Sequence, residues 1–283
     1  MVKRRYIQLL SALLYNINIT GFASGRIYKG DIKGVCVPGL NCYSCPGAVA
    51  ACPLGSLQAA LGGVQYKLPF YTVGILLLFG ILFGRGVCAF LCPFGLLQEL
   101  LHKIPSPKLL KNKLTRTASF GKYIVLVVFV LFLPLLYLFE DNGISVPAFC
   151  KYLCPAGTLE GALPLIATNE ILRPLMGALF KWKVFVLAAV VLASIFIFRA
   201  FCRFLCPLGA IYSLFNKYAF WGIKVNERNC VGCNACVISC KLDTRRINDR
   251  ECVRCGECGS VCRHNAVYYN RFKKEFLLRE EVK

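Results

Sequence analysis

Eighteen cysteines carry the chemistry of this 283-residue chain, and their spacing sorts them into sets. Near the carboxy terminus stand Cys230-Val-Gly-Cys233-Asn-Ala-Cys236-Val-Ile-Ser-Cys240 and Cys252-Val-Arg-Cys255-Gly-Glu-Cys258-Gly-Ser-Val-Cys262. Both read Cys-x2-Cys-x2-Cys-x3-Cys, the spacing of a two-cubane iron–sulfur module in which the fourth cysteine of each run ligates the other run's cluster. Cys230, Cys233, Cys236 and Cys262 are expected to hold one [4Fe–4S] cluster, and Cys252, Cys255, Cys258 and Cys240 a second. Zinc more often takes isolated Cys-x2-Cys pairs. The fourth cysteines precede Lys241 and Arg263 where proline is usual, which bears on reduction potential more than on cluster presence.

A second pattern occurs twice. Arg85-Gly-Val-Cys88-Ala-Phe-Leu-Cys92-Pro93-Phe-Gly95 returns as Arg199-Ala-Phe-Cys202-Arg-Phe-Leu-Cys206-Pro207-Leu-Gly209. Free cysteine is also a small hydrophobe, but a motif framed identically twice argues for ligation. Cys88, Cys92, Cys202 and Cys206 are expected to share a third cubane. A helix begun by proline would turn its free amide groups back toward that anionic group.

A third set includes Cys52, Cys150 and Cys154. Its fourth member is expected to be Cys45, which precedes Pro46 and lies near Cys52, with Cys42 or Cys36 as alternatives. Cys36 and Cys42 remain either a disulfide or ligands. The cofactors expected are thus [4Fe–4S] clusters, four in number.

These motifs punctuate apolar runs. With 57% hydrophobic residues and a mean hydropathy of +0.58, the chain is more apolar than an ordinary soluble domain. Runs 6–23, 68–83, 123–139 and 182–198 approach the length of a spanning helix. The basic start Met1–Arg5 suits a signal peptide, but Asn16 and Asn18 interrupt the apolar part and no small-x-small site follows, so an uncleaved helix is expected. If the amino terminus is cytoplasmic, inner segments carry 26 Lys plus Arg against 8 outside, the positive-inside bias. Arg85 and Arg199 would then mark the inner boundary, the alternative being that they pair with cluster charge or lipid phosphate. The expected location is the cytoplasmic (inner) membrane, multi-pass, with both termini cytoplasmic.

Cys154-Pro-Ala-Gly-Thr-Leu-Glu-Gly-Ala-Leu163 lies over Cys52-Pro-Leu-Gly-Ser-Leu-Gln-Ala-Ala-Leu61, as Cys206 lies over Cys92. The halves, about 1–104 and 119–222, repeat one plan. The fold class expected is a mainly α integral membrane protein: a pseudo-symmetric four-helix transmembrane bundle over 1–222, an α+β bacterial-type 2[4Fe–4S] ferredoxin domain over 223–270, and a basic tail over 271–283.

The net charge of +20 is assigned to compensation of anionic clusters, and nucleic acid is not expected as a partner. The only histidines, His102 and His264, lie outside the apolar runs, which excludes a membrane-embedded bis-histidine haem. Glu140, Asp141 and Glu170 read as solvated charge. No catalytic acid, base or nucleophile stands out.

The chain resembles the NapH/NosR/YccM-type membrane polyferredoxins on Arg85 to Val267, through its apolar runs, paired Cys-x3-Cys-Pro motifs and terminal two-cluster module. The resemblance implies membrane-bound electron transfer, often with quinol as donor to an extracytoplasmic reductase. The outer cysteines exceed that family's simplest pattern. The residues themselves favour an electron relay between a cytoplasmic donor and an extracytoplasmic acceptor, with redox proteins on one or both sides. A quinol dehydrogenase subunit, with quinone bound, and a maturation or sensing protein for a partner metalloenzyme are the alternatives.

Overall fold

The computed structural model describes residues 2–61, 70–109, 111–140, 146–271 and 274–277. Helix α1 is Val2–Tyr15. The first apolar run does not continue through it: Asn16 donates to Ala12 O and to Asn41 Oδ1, both at 3.0 Å, and Asn18 donates to Pro46 O at 2.9 Å. These amides tie the chain to the loop that follows, and a separate short turn, Thr20–Ser24, comes after. In α1 the polar Arg4, Gln8 and Ser11 are buried while Leu9, Leu10, Leu13 and Leu14 are exposed, the reverse of a helix packed in water.

The next helices are α2 (Pro53–Leu61), α3 (Phe70–Phe83), α4 (Gly86–Phe90) and α5 (Pro93–Leu101). Helix α6, Lys113–Tyr137, contains a π-type stretch at Leu126–Phe132. Then come α7 (Ala148–Tyr152), α8 (Gly157–Ala162), α9 (Ala178–Phe196), α10 (Ala200–Phe204) and α11 (Pro207–Phe215). Among the described residues, α6 and α9 are long and apolar enough to cross a membrane, at 25 and 19 residues. The run 68–83 appears as the 14-residue α3, and residues 62–69 lie outside the described residues. The expected four spanning helices are therefore represented by two of full length.

Prolines begin α2, α5 and α11 directly after Cys52, Cys92 and Cys206, where a missing N–H costs nothing. Each short helix thus turns its amino-terminal end toward a cysteine.

The carboxy-terminal module is a sheet with two short helices. Strand β1 (Gly222–Val225) pairs antiparallel with β2 (Val267–Arg271), and β2 with β3 (Lys274–Leu277). Sheet pairing therefore continues into the stretch expected to be a basic tail. Between the strands lie α12 (Ala235–Ile238) and α13 (Glu257–Val261).

This module is fastened to the helices by buried charge. Glu251 meets Arg85 at 2.8 Å and Lys122 at 2.5 Å, and Asp243 meets Arg203 Nε at 2.5 Å. Arg254 donates to the carbonyls of Phe83, Trp221 and Asn216. Burying one partner without the other would cost several kcal/mol per ion, so these pairs fix one docking arrangement.

Candidate iron–sulfur sites

In the carboxy-terminal module, Cys230, Cys233, Cys236 and Cys262 line one cavity of about 170 Å³. Cys240, Cys252, Cys255 and Cys258 lie within electrostatic reach of one another. Positive φ recurs at matching places in the two runs, +71° at Gly232 and +58° at Arg254, then +55° at Asn234 and +83° at Gly256. Left-handed residues in such turns direct successive N–H groups into a concavity that suits an anion. Cys240 and Cys255 pack with Ala89, Phe90 and Phe198, and Ala89 and Phe90 lie between Cys88 and Cys92. The second set is therefore proximal to the helices. Cys230 and Cys233 of the first set are exposed to solvent.

Cys88, Cys92, Cys202 and Cys206 are each no more than 5% exposed and are electrostatic neighbours. Their motifs hold each other crosswise. Arg85 Nη2 donates to Cys202 O at 3.3 Å, and Arg199 Nη1 donates to Cys88 O at 2.8 Å. Both guanidinium groups are fully buried. These arginines clamp opposing motifs, and their charge is met by Glu251 and Glu99.

The remaining set surrounds a cavity of about 450 Å³ lined by Cys42, Cys52, Cys150 and Cys154. A Cβ on Gly157 would lie 3.7 Å from Cys154 Sγ and 3.8 Å from Cys42 Sγ, and one on Gly161 would lie 3.3 Å from Cys42 Sγ. Cys45 is elsewhere, donating to Asn16 Oδ1 at 3.6 Å. Cys36 lies 3.4 Å from Ser56 Oγ, and no disulfide joins it to Cys42. The structure therefore brings Cys42, not Cys45, to the other three.

Position six after Cys52, Cys92, Cys154 and Cys206 holds a polar residue that the spacing of thiols did not single out. Gln98 accepts from Phe201 N at 2.9 Å and donates to Cys202 Sγ at 3.1 Å. Gln58 accepts from Phe149 N at 3.0 Å and donates to Cys150 Sγ at 3.5 Å. Their counterparts are Glu160, which accepts from Cys42 N at 2.8 Å, and Tyr212, which donates to Pro38 O at 2.9 Å. Burial pushes the Glu160 carboxyl up to about 7. A polar residue recurring in an apolar short helix, once the repeat is aligned, was the available signal.

A single loop joins the two buried sites. The Leu40 amide is directed at Cys92 and the Asn41 amide at Cys52. A Cβ on Gly39 would come within 3.1 Å of Cys92 Cα, which is why only glycine fits. Buried Tyr212 lies within electrostatic reach of Cys88, Cys92 and Cys52 together.

Other expected features are peripheral. His264 is exposed, His102 packs edge-on to Phe198, and Glu170 forms an exposed pair with Arg173. Asp141 lies outside the described residues. Among the described residues, no three His, Cys, Asp or Glu groups close around a single metal ion. Four thiol donors around a cavity fit the corners of a cubane instead, with amide and glutamine N–H groups available to its sulfurs.

Buried four-thiol sites together with a cysteine-rich, ferredoxin-type module define an iron–sulfur protein. A family model described as a 4Fe-4S binding domain matches residues 68–115, 123–163 and 180–224, the segments that carry Cys88, Cys92, Cys150, Cys154, Cys202 and Cys206. Uncharacterized protein MJ0750 of Methanocaldococcus jannaschii is 33% identical over 77% of this chain and 84% of its own length. Methylamine utilization ferredoxin-type protein MauN of Paracoccus denitrificans is 27% identical over 65% of this chain and 58% of its own. Putative electron transport protein YccM of Escherichia coli is 28% identical over 56% and 42%. No solved structure matches. The chain belongs to this family of iron–sulfur, ferredoxin-type electron-transport proteins, and its cofactors are [4Fe–4S] clusters.

Proposed function

We propose that this protein is a membrane-embedded relay carrying electrons between a cytoplasmic donor and an extracytoplasmic acceptor through four sites. When bound, each cubane supplies one-electron storage and release. The order is Cys230/Cys233/Cys236/Cys262, then Cys240/Cys252/Cys255/Cys258, then Cys88/Cys92/Cys202/Cys206, then Cys42/Cys52/Cys150/Cys154. The last set adopts Cys42 as its fourth ligand.

The observation that carries this reading is the Gly39–Cys42 loop. Gly39 packs on Cys92 while Cys42 lines the outer cavity, and three residues span at most about 11 Å. That loop therefore reaches from one buried site to the other within about a third of the ~30 Å hydrocarbon layer. A membrane setting is supported by α6 and α9 and by exposed Leu13, Phe70, Phe185 and Leu192, apolar side chains that lipid would cover. Iron and acid-labile sulfide per chain test the assignment: Cys92→Ser and Cys42→Ser should each remove one cluster's worth. Unchanged iron in either would overturn that site.

A further inference from the structure

We infer that the solvent-facing end of the ferredoxin module is a docking surface for a small acidic electron-carrier protein. The inference rests on the relay reading, because it concerns the site where electrons enter. Cys230 and Cys233 are exposed, whereas the cysteines of the two helical sites are buried or half-buried. Beside them Val231, Ile238 and Val261 are 61%, 71% and 40% exposed, an apolar centre directly over the first cluster site.

The rim is basic. Arg245 and Arg246 line the cavity of the first set, Arg228 stands two residues before Cys230, and Arg263 follows Cys262. All four are exposed, and among the described residues none forms an ion pair. The arginines nearer the helices behave differently, since Arg4, Arg85, Arg199 and Arg203 are buried and paired with carboxylates. Carboxylates meet the charge of the buried set, and among the described residues none pairs with the solvent-facing one. Among the described residues, exposed Glu227 and half-buried Asp249, which accepts from Arg245 N at 3.0 Å, are the acids beside this rim.

Arginine forks match carboxylates in a bidentate way, and an apolar centre with a charged rim is how transient protein contacts are built. A partner rich in Asp and Glu is favoured over a lipid surface, because the exposed apolar residues lie over a redox site that must meet another redox site. The step is a one-electron transfer: the carrier's reduced iron–sulfur or flavin group is oxidised by one electron, and the site of Cys230, Cys233, Cys236 and Cys262 is reduced by one. No proton or co-reactant is needed.

The test uses the full chain in phosphatidylcholine nanodiscs, mixed in stopped flow with a chemically reduced acidic 2[4Fe–4S] ferredoxin. The second-order rate of cluster reduction should fall steeply with ionic strength and by about tenfold or more in Arg245→Glu/Arg246→Glu. Iron per chain measures loading, and Arg228→Glu/Arg263→Glu should show the same fall if the first variant loads poorly. A rate insensitive to salt and to both reversals would overturn the proposal. So would a marked slowing on adding phosphatidylglycerol that persists at an ionic strength high enough to screen the carrier's own repulsion from the lipid, since the face would then lie on anionic lipid. Reduction that reaches the first site but not the helical sites would count against the relay and leave the docking surface standing.

Discussion

Cys92 and Cys52 belong to different four-thiol sites, yet the amides directed at them come from adjacent residues, Leu40 and Asn41. Two successive peptide units of one loop therefore serve two redox sites. Reduced clusters held this closely should couple magnetically, broadening each other's electron paramagnetic resonance signals. Inserting two glycines between Leu40 and Asn41 should weaken that coupling or release one cluster. Uncoupled signals in the fully reduced native protein would contradict the shared loop.

Ligand choice at the outer site separates two cysteines three residues apart. Cys42→Ser should remove one cluster, while Cys45→Ser should retain it, because Cys45 contacts Asn16 and not the cavity. Iron content with the resonance spectrum of each variant decides; loss of a cluster in Cys45→Ser alone would reverse the assignment.

Gln98 and Gln58 are held so that their amide NH2 must face sulfur, since each Oε1 is taken by a backbone N–H. Hydrogen bonds to cluster sulfurs are one of the protein's means of setting potential. Gln98→Met should lower the potential of the inner cluster and leave the outer one in place, and Gln58→Met should do the converse. Each also strands one backbone N–H at a cost of about 1–3 kcal/mol. Potentiometric titration of the separate signals reads this directly, and unshifted potentials in loaded protein would contradict it.

Glu99 joins Arg4 and Arg199 in a buried triad. Burial pushes its carboxyl up, but Arg199 and Arg4 outweigh that and hold it below the usual carboxylate range. Because the folded value is depressed, its stabilisation is fully present above the unfolded value of about 4.3. It is lost as pH falls through the lower folded value. Glu99→Gln, which leaves buried Arg199 without a carboxylate and Arg4 with Glu257 alone, should cost about 3–5 kcal/mol at neutral pH. Thermal melts of native and variant protein should converge as pH drops below about 4; a gap that persists in acid would contradict the ionic role.

The clearest sequence signals were those where ligand spacing is itself the chemistry. Cys230 to Cys262 sort into two sets from spacing alone, and the repeated Cys-x3-Cys-Pro frame anticipates that Cys88 and Cys92 meet Cys202 and Cys206. What spacing misses is set by loop path. The proline after Cys45 suggests a ligand turn, and what spacing does not show is how Pro46 packs: its carbonyl takes Asn18 and lies so close to Gly21 that a Cβ there would meet it at 2.2 Å. The route from Val35 to Cys52 is fixed by a Cys36–Ala51 bridge and the Asn16–Asn41 contact, neither of which has a local signature. Composition sets Arg85 and Arg199 at the ends of apolar runs but cannot say that each side chain turns inward to clamp the opposite half.

The relay itself is tested most directly in liposomes with the ferredoxin module facing outward and an impermeant oxidant sealed inside. Reduced acidic ferredoxin added outside should reduce the trapped oxidant in a burst that Cys92→Ser abolishes. Trapped oxidant reduced no faster than in empty vesicles, or as fast with Cys92→Ser as with native protein, would contradict the account.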